Sequence, residues 1–223
     1  ELQSTHYLVI AYFQLGMSWF MRGGLTAART YLGQSMAYAA TPRAYPRLYT
    51  RFAHVLWLLG YPAQALRLAR ETLLLPHETL RPFERVDLYG EVLELSLLCR
   101  ELAEVAEDLA QMLALIRQYA LDQPLSWANY LQGWFLVLQG SAAGIPQMEE
   151  GRVKFLAMGG QARYTRFLGW LAEMCMQVNQ PIQAAAYLDE ALALIEPQDE
   201  HFWEAELYRL KGEWLLAQQQ DET

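Results

Sequence analysis

The stretch QLGMSWFMRGG, residues 14–24, carries a pattern that returns along the whole chain. A small residue, Gly16, sits in an apolar run that closes at Gly23, seven positions on. The arrangement reappears in RFAHVLWLLGY (51–61, small residue Ala53), YLQGWFLVLQG (130–140, Gly133), GWLAEMCMQVNQ (169–180, Ala172) and YRLKGEWLLAQ (208–218, Gly212). A weaker copy, GEVLELSLLCR (90–100), has Leu93 in the small slot. Successive slots are 37, 40, 40, 39 and 40 residues apart. A period near 40 held through five intervals marks one supersecondary unit repeated along the chain.

The turn repeats as well. Seven residues beyond each slot stand Gly23, Gly60, Arg100, Gly140 and Asn179. Gly and Asn tolerate the left-handed backbone that ends a helix. Pro62 and Pro181 follow two of these turns, where a helix's first residue does not miss the N–H. Ala28, Ala65 and Ala184, five residues past the turn, let two helices approach closely. Each unit therefore reads as two antiparallel helices joined by a tight turn. The expected helices are 3–22, 24–40, 43–60, 62–75, 81–99, 101–120, 123–139, 142–159, 161–178, 181–195 and 199–219. Pro146 predicts a kink or a late start in its helix. The fold class expected is all-α, an α-α superhelix of about five hairpins plus one unpaired C-terminal helix. It reads as a single domain, 1–223, with repeats near 3–40, 43–80, 81–120, 123–159, 161–197 and a half repeat at 199–219.

This pattern resembles the tetratricopeptide repeat family. Repeat one reads Tyr12, Leu15-Gly16, Trp19, Gly23, Ala28 and Leu32. Repeat two offers Tyr49, Ala53, Gly60 and Ala65, and repeat five offers Ala172, Asn179, Ala184, Leu188, Ala191 and Pro197. The third repeat is degenerate. The period exceeds that family's usual 34 and falls in the range of HEAT and armadillo repeats, but the Gly/Ala slots favour tetratricopeptide-like packing. EAELYRLKGEWLLA (204–217), WLLGYPAQAL (57–66) and LQGWFLVLQG (131–140) resemble the C-terminal arrays of large bacterial predicted ATPases, often linked to class III adenylate/guanylate cyclase domains. The maltose-regulon type of activator is similar in layout. The resemblance implies a sensor or partner platform that follows a nucleotide-binding module. It places no ATP-binding or cyclase residue in this chain.

The composition is that of a folded chain. Of 223 residues, 53% are hydrophobic and 19% charged, with a formal net charge of −8. This excludes a disordered tail, and the acidic balance argues against binding duplex nucleic acid. Cys99 and Cys175 read as buried reduced thiols of a cytoplasmic protein. The most apolar stretch, 7–21, is fifteen residues long, short of the ~20 a membrane span needs. It reads as a helix buried on several sides. The start at Glu1 and the unpaired last helix read as a piece cut from a longer array.

No catalytic chemistry converges. His6, His54, His77 and His201 lie in different repeats, none at i, i+4 from another ligand type, so no metal site is expected. There is no Gly-x-Ser-x-Gly and no phosphate-binding Gly-Lys-Ser/Thr loop. Glu149 and Glu150 are adjacent on a helix and do not face each other. No cofactor is expected, and the chain does not read as an enzyme.

In the expected fold, first helices line a groove. The register points inward Ile10, Phe13, Met17 and Phe20, then Arg47, Thr50, His54 and Trp57, then Asp87, Gly90, Glu94 and Leu97. Downstream it points inward Trp127, Tyr130, Trp134 and Val137, then Arg166, Gly169, Glu173 and Met176, then Glu206, Arg209, Glu213 and Leu216. The candidate binding residues are His54, Trp57, Glu94, Tyr130, Trp134, Arg166, Glu173 and Arg209. For the aromatics the competing reading is inter-helix core; for the charges it is a solvated face or ion pairs. Gly90 and Gly169 inside helices suit a groove that keeps space for a ligand. The leading function is a protein-interaction scaffold, binding a protein, a peptide or other domains of a parent chain. Alternatives are a small-molecule sensor and an oligomerisation spacer, with a homodimer through the terminal helices.

Overall fold

Gly23, Gly60, Arg100, Gly140 and Asn179 all take positive φ, between 58° and 89°, so every expected turn position ends a helix in the left-handed conformation. Each is followed by the same backbone bond, reaching back five residues. The N–H groups of Gly24, Tyr61, Glu101, Ser141 and Gln180 donate to the carbonyls of Trp19, Leu56, Ser96, Leu136 and Cys175 at 2.8–2.9 Å. This bond satisfies carbonyls that a helix end otherwise leaves open.

The computed structural model describes residues 2–39, 41–76, 80–160 and 163–221. Among them lie eleven α-helices. They are α1 (Leu2–Met21), α2 (Leu25–Tyr38), α3 (Pro46–Leu58), α4 (Pro62–Leu73), α5 (Pro82–Leu98), α6 (Val105–Tyr119), α7 (Asp122–Leu138), α8 (Gly144–Ala157), α9 (Tyr164–Gln177), α10 (Pro181–Gln198) and α11 (Glu204–Asp221). Short 3₁₀ turns, Pro42–Ala44 and His201–Trp203, precede α3 and α11. No strand occurs among the described residues. No described helix is long and apolar enough to cross a membrane. Pro146 falls in the first turn of α8, so the late start is what occurs. His77 and the start of the helix expected at 161 lie outside the described residues.

The chain divides into two compact units. The first is Glu1–Phe20 with Gly24–Leu125; the second is Met21–Gly23 with Ser126–Thr223. In both, odd and even helices bury different patterns. α5 buries the run Gly90–Leu97, and α9 buries Tyr164–Ala172. Helices hidden on every face need protein on every side. The even helices bury one stripe: Ala65, Ala69 and Thr72 on α4, and Ala184, Leu188, Ala191 and Ile195 on α10. That spacing is one helical face, and the rest of each even helix meets solvent.

In the first unit, Ala53, Leu56, Ala65, Ala69, Leu88, Val92 and Leu95 form a core between α3, α4 and α5. The small slot works as expected there: Ala53 has no exposed surface. At Gly16 an added Cβ would stand 2.6 Å from Leu32 Cγ on α2. α1 departs from expectation. Val9, Gly16 and Phe20 are buried, yet Tyr7, Leu8, Ile10, Leu15 and Trp19 are exposed. Its apolar residues encircle the helix, while protein covers only part of that circumference. Cys175 is buried as expected, but Cys99 is only half-buried; neither forms a disulfide. Burial pushes the Cys175 thiol up to about 12, so it stays protonated and inert at neutral pH.

Candidate binding site

α3 and α5 lie side by side, and residues one repeat apart meet across their seam. Arg47 Nε stands 3.8 Å from Asp87, Arg51 Nη1 donates to Glu91 Oε2 at 2.7 Å, and His54 Nε2 stands 2.8 Å from Glu94 Oε1. All three pairs are 40 residues apart. The outermost pair is open to water. The two inner pairs are not: Arg51 and Glu91 side chains are each 2% exposed. Burial pushes the Glu91 carboxyl up from its ordinary value, against the pull of Arg51 and His54 and with the push of Glu94 and Asp87.

Other helices make comparable cross-links. Arg70 on α4 pairs with Asp108 on α6, and its Nη2 donates to Ser96 Oγ at 2.8 Å. In the second unit, Arg152 on α8 stands 3.6 Å from Glu190 on α10, and the Tyr187 hydroxyl donates to Glu149 at 3.1 Å. Each of these interhelical acid partnerships spans 38 residues.

The outer end of the α3–α5 seam opens into a cavity of about 270 Å³. Ile10, Arg47 and Asp87 line it, and all three stand six residues before their small slots. Phe13 and Thr50, three before theirs, complete the wall that the register predicts. Tyr45, Phe83 and Glu84 close it from the α3 and α5 N-termini. Its walls are mostly apolar carbon, and the charges of Arg47, Asp87 and Glu84 lie among them. Arg81 and Glu84 also form a capping box at the start of α5, which fixes that edge.

The candidate residues separate accordingly. His54 and Glu94 come together, but buried beneath the cavity rather than on its surface. Trp57 packs against the α3–α4–α5 core. In the second unit, Tyr130 and Trp134 are buried in an aromatic cluster with Trp127, Phe167, Trp170 and Trp203. Trp134 and Trp170 stack at 4.5 Å, and the Tyr130 hydroxyl donates to the Phe167 carbonyl at 2.5 Å. Burial holds the Tyr130 hydroxyl protonated, well above its ordinary value. These two are core, where the repeat register points them at a groove, because bulky rings occupy the space themselves.

Arg166 is also buried, its guanidinium 4.8 Å from the Trp170 ring centre. Gly169 keeps no ligand space. A Cβ there would stand 2.9 Å from Trp203 Nε1, so the glycine admits the indole. Glu173 is half-buried, and its negative charge acts on Arg209. Arg209 is exposed and pairs with Glu206 and Glu213 on its own helix, a solvated arrangement worth little energy.

Arg51 and Glu91 are absent from the sequence-derived set. Their signal is there to read: opposite charges one period apart, beside the similarly spaced Arg47 and Asp87. No family model matches the chain, and no curated protein matches it.

Proposed function

We propose that this chain is a helical-repeat array that binds a short segment of a partner protein at the first unit's cavity, in the manner of tetratricopeptide-like scaffolds. The observation that carries the reading is the equivalence of the wall residues. Ile10, Arg47 and Asp87 hold the same position in three consecutive repeats and line one hollow. Stacked repeats place equivalent side chains in rows, and such rows are how solenoids build extended binding surfaces. Pairing of residues 40 apart along the α3–α5 seam supports the same stacking.

The size of the hollow favours a partner's side chain over a whole metabolite. Pockets that enclose drug-sized ligands run from about 300 to 1,000 Å³, and this one is about 270 Å³. An apolar anchor would fill it, with neighbouring peptide groups meeting Arg47 and Asp87 at the rim. A regulatory role within a larger signalling chain fits this reading, with the array as partner platform and no catalytic step of its own.

Selection of random displayed peptides on the immobilised chain tests it. Enriched peptides are expected to share an apolar anchor. Ile10→Asp and Arg47→Glu change exposed side chains and are each expected to weaken the selected peptides about tenfold or more, roughly 1.4 kcal/mol. No enrichment, or enriched peptides indifferent to both changes, would contradict the assignment. A metabolite that raises Tm while no peptide binds would favour a sensor instead.

A further inference from the structure

We propose that the inner end of the α3–α5 seam is a divalent transition-metal site of the zinc type, with His54 Nε2 and the carboxylates of Glu91 and Glu94 as its protein ligands. The proposal is independent of partner binding at the cavity. Donor atoms of the three residues all lie within 4.8 Å of one another, and His54, Glu91 and Glu94 are at most 4% exposed.

The imidazole geometry points to a shared cation. His54 Nδ1 stands 2.9 Å from the Thr50 carbonyl, an acceptor, so Nδ1 carries the proton. In the neutral ring, Nε2 then presents its lone pair. Donation of the other ring N–H to a carbonyl is the usual way a metal-bound histidine is oriented. Nε2 is buried, with Glu94 Oε1 2.8 Å away. Ligands about 2.0–2.1 Å from a zinc ion stand roughly 3 Å from each other.

Arg51, bonded to Glu91 Oε2, would orient that carboxylate from outside the metal's own shell. Thr50 and Asp87, each one turn before a ligand residue, line the cavity. One histidine and two carboxylates leave a fourth position for water, and such nitrogen and oxygen donors suit zinc.

The test uses the full chain stripped with EDTA and titrated with ZnCl2 by calorimetry, with Tm followed in parallel. One Zn²⁺ per chain is expected, with Tm raised by several degrees. His54→Gln and Glu94→Gln are each expected to weaken binding about a hundredfold. Nitrogen-15 NMR of the unmutated chain gives a readout that survives poorly folded variants. Zn²⁺ should move the Nε2 resonance of His54 strongly and leave Nδ1 protonated. Absence of micromolar Zn²⁺ binding, affinity unchanged in both variants, or a His54 ring indifferent to Zn²⁺ would overturn the proposal. A ring found protonated at both nitrogens would identify a proton as the occupant and would also overturn it.

Discussion

Glu91→Ala, measured by urea denaturation of metal-free protein, is expected to destabilise the chain by about 3–5 kcal/mol. The loss comes from what remains. Arg51 has a side chain 2% exposed and bonds Glu91 Oε2 at 2.7 Å. Without that carboxylate the guanidinium is a buried cation deprived of this partner, and water cannot reach it without opening the seam. The pair itself contributes far less than its removal costs, because both ions were desolvated to form it. Arg51→Met combined with Glu91→Leu is therefore expected to lie within about 1 kcal/mol of the parent, or above it. A double variant as unstable as Glu91→Ala would show that the seam depends on the ion pair rather than on packing.

Gly144→Ala is expected to cost about 3 kcal/mol or more, with the transition followed by circular dichroism. A Cβ on Gly144 would overlap the Gly133 carbonyl oxygen and stand 2.7 Å from Val137 Cγ2. Reciprocally, a Cβ on Gly133 would lie 2.6 Å from the Gly144 carbonyl and 2.7 Å from the Met148 nitrogen. These neighbours include backbone atoms of two helices in contact, which cannot swing aside as a side-chain tip can. The same slot in α11 gives the opposite sign. A Cβ on Gly212 would meet nothing within 4 Å, so Gly212→Ala gains helix propensity, about 1 kcal/mol. Gly133 and Gly212 hold equivalent positions, so a costly Gly133→Ala beside a stabilising Gly212→Ala would show that α7 uses its slot for a close helix crossing while α11 leaves its slot open.

Much of this was legible in the sequence because it depends on local rules. A helix that ends in the left-handed region prefers Gly or Asn, and the period of those residues located the turns. Arg100 adopts the same conformation with φ 59°, so position in the repeat outweighed residue type. The register was legible too: it named Ile10, Phe13, Arg47, Thr50 and Asp87 as facing one space, and they line one cavity. It does not reveal whether that space is filled. Trp127 and Tyr130 hold the same repeat positions as Arg47 and Thr50, but their rings, with Trp170 and Trp203, pack the second unit solid. Side-chain volume from neighbouring elements decides that, and a periodic reading of one helix omits it. The His54–Glu91–Glu94 cluster escaped for a related reason. A ligand search along one helix looks for i, i+4 spacing, whereas these donors converge from two helices a full repeat apart.

On the proposed repeat reading, a hairpin of about 40 residues is the unit of this chain and each hairpin leans on its neighbours. In a repeat array, stability is nearly a sum of unit and nearest-neighbour terms, so a whole unit can be removed. Deleting residues 61–100 joins the left-handed turn residue Gly60 to Glu101, which follows the equivalent turn residue Arg100. The shortened chain is expected to remain helical by circular dichroism and to melt cooperatively. Loss of the cooperative transition, with collapse of the helical signal, would contradict the repeat reading.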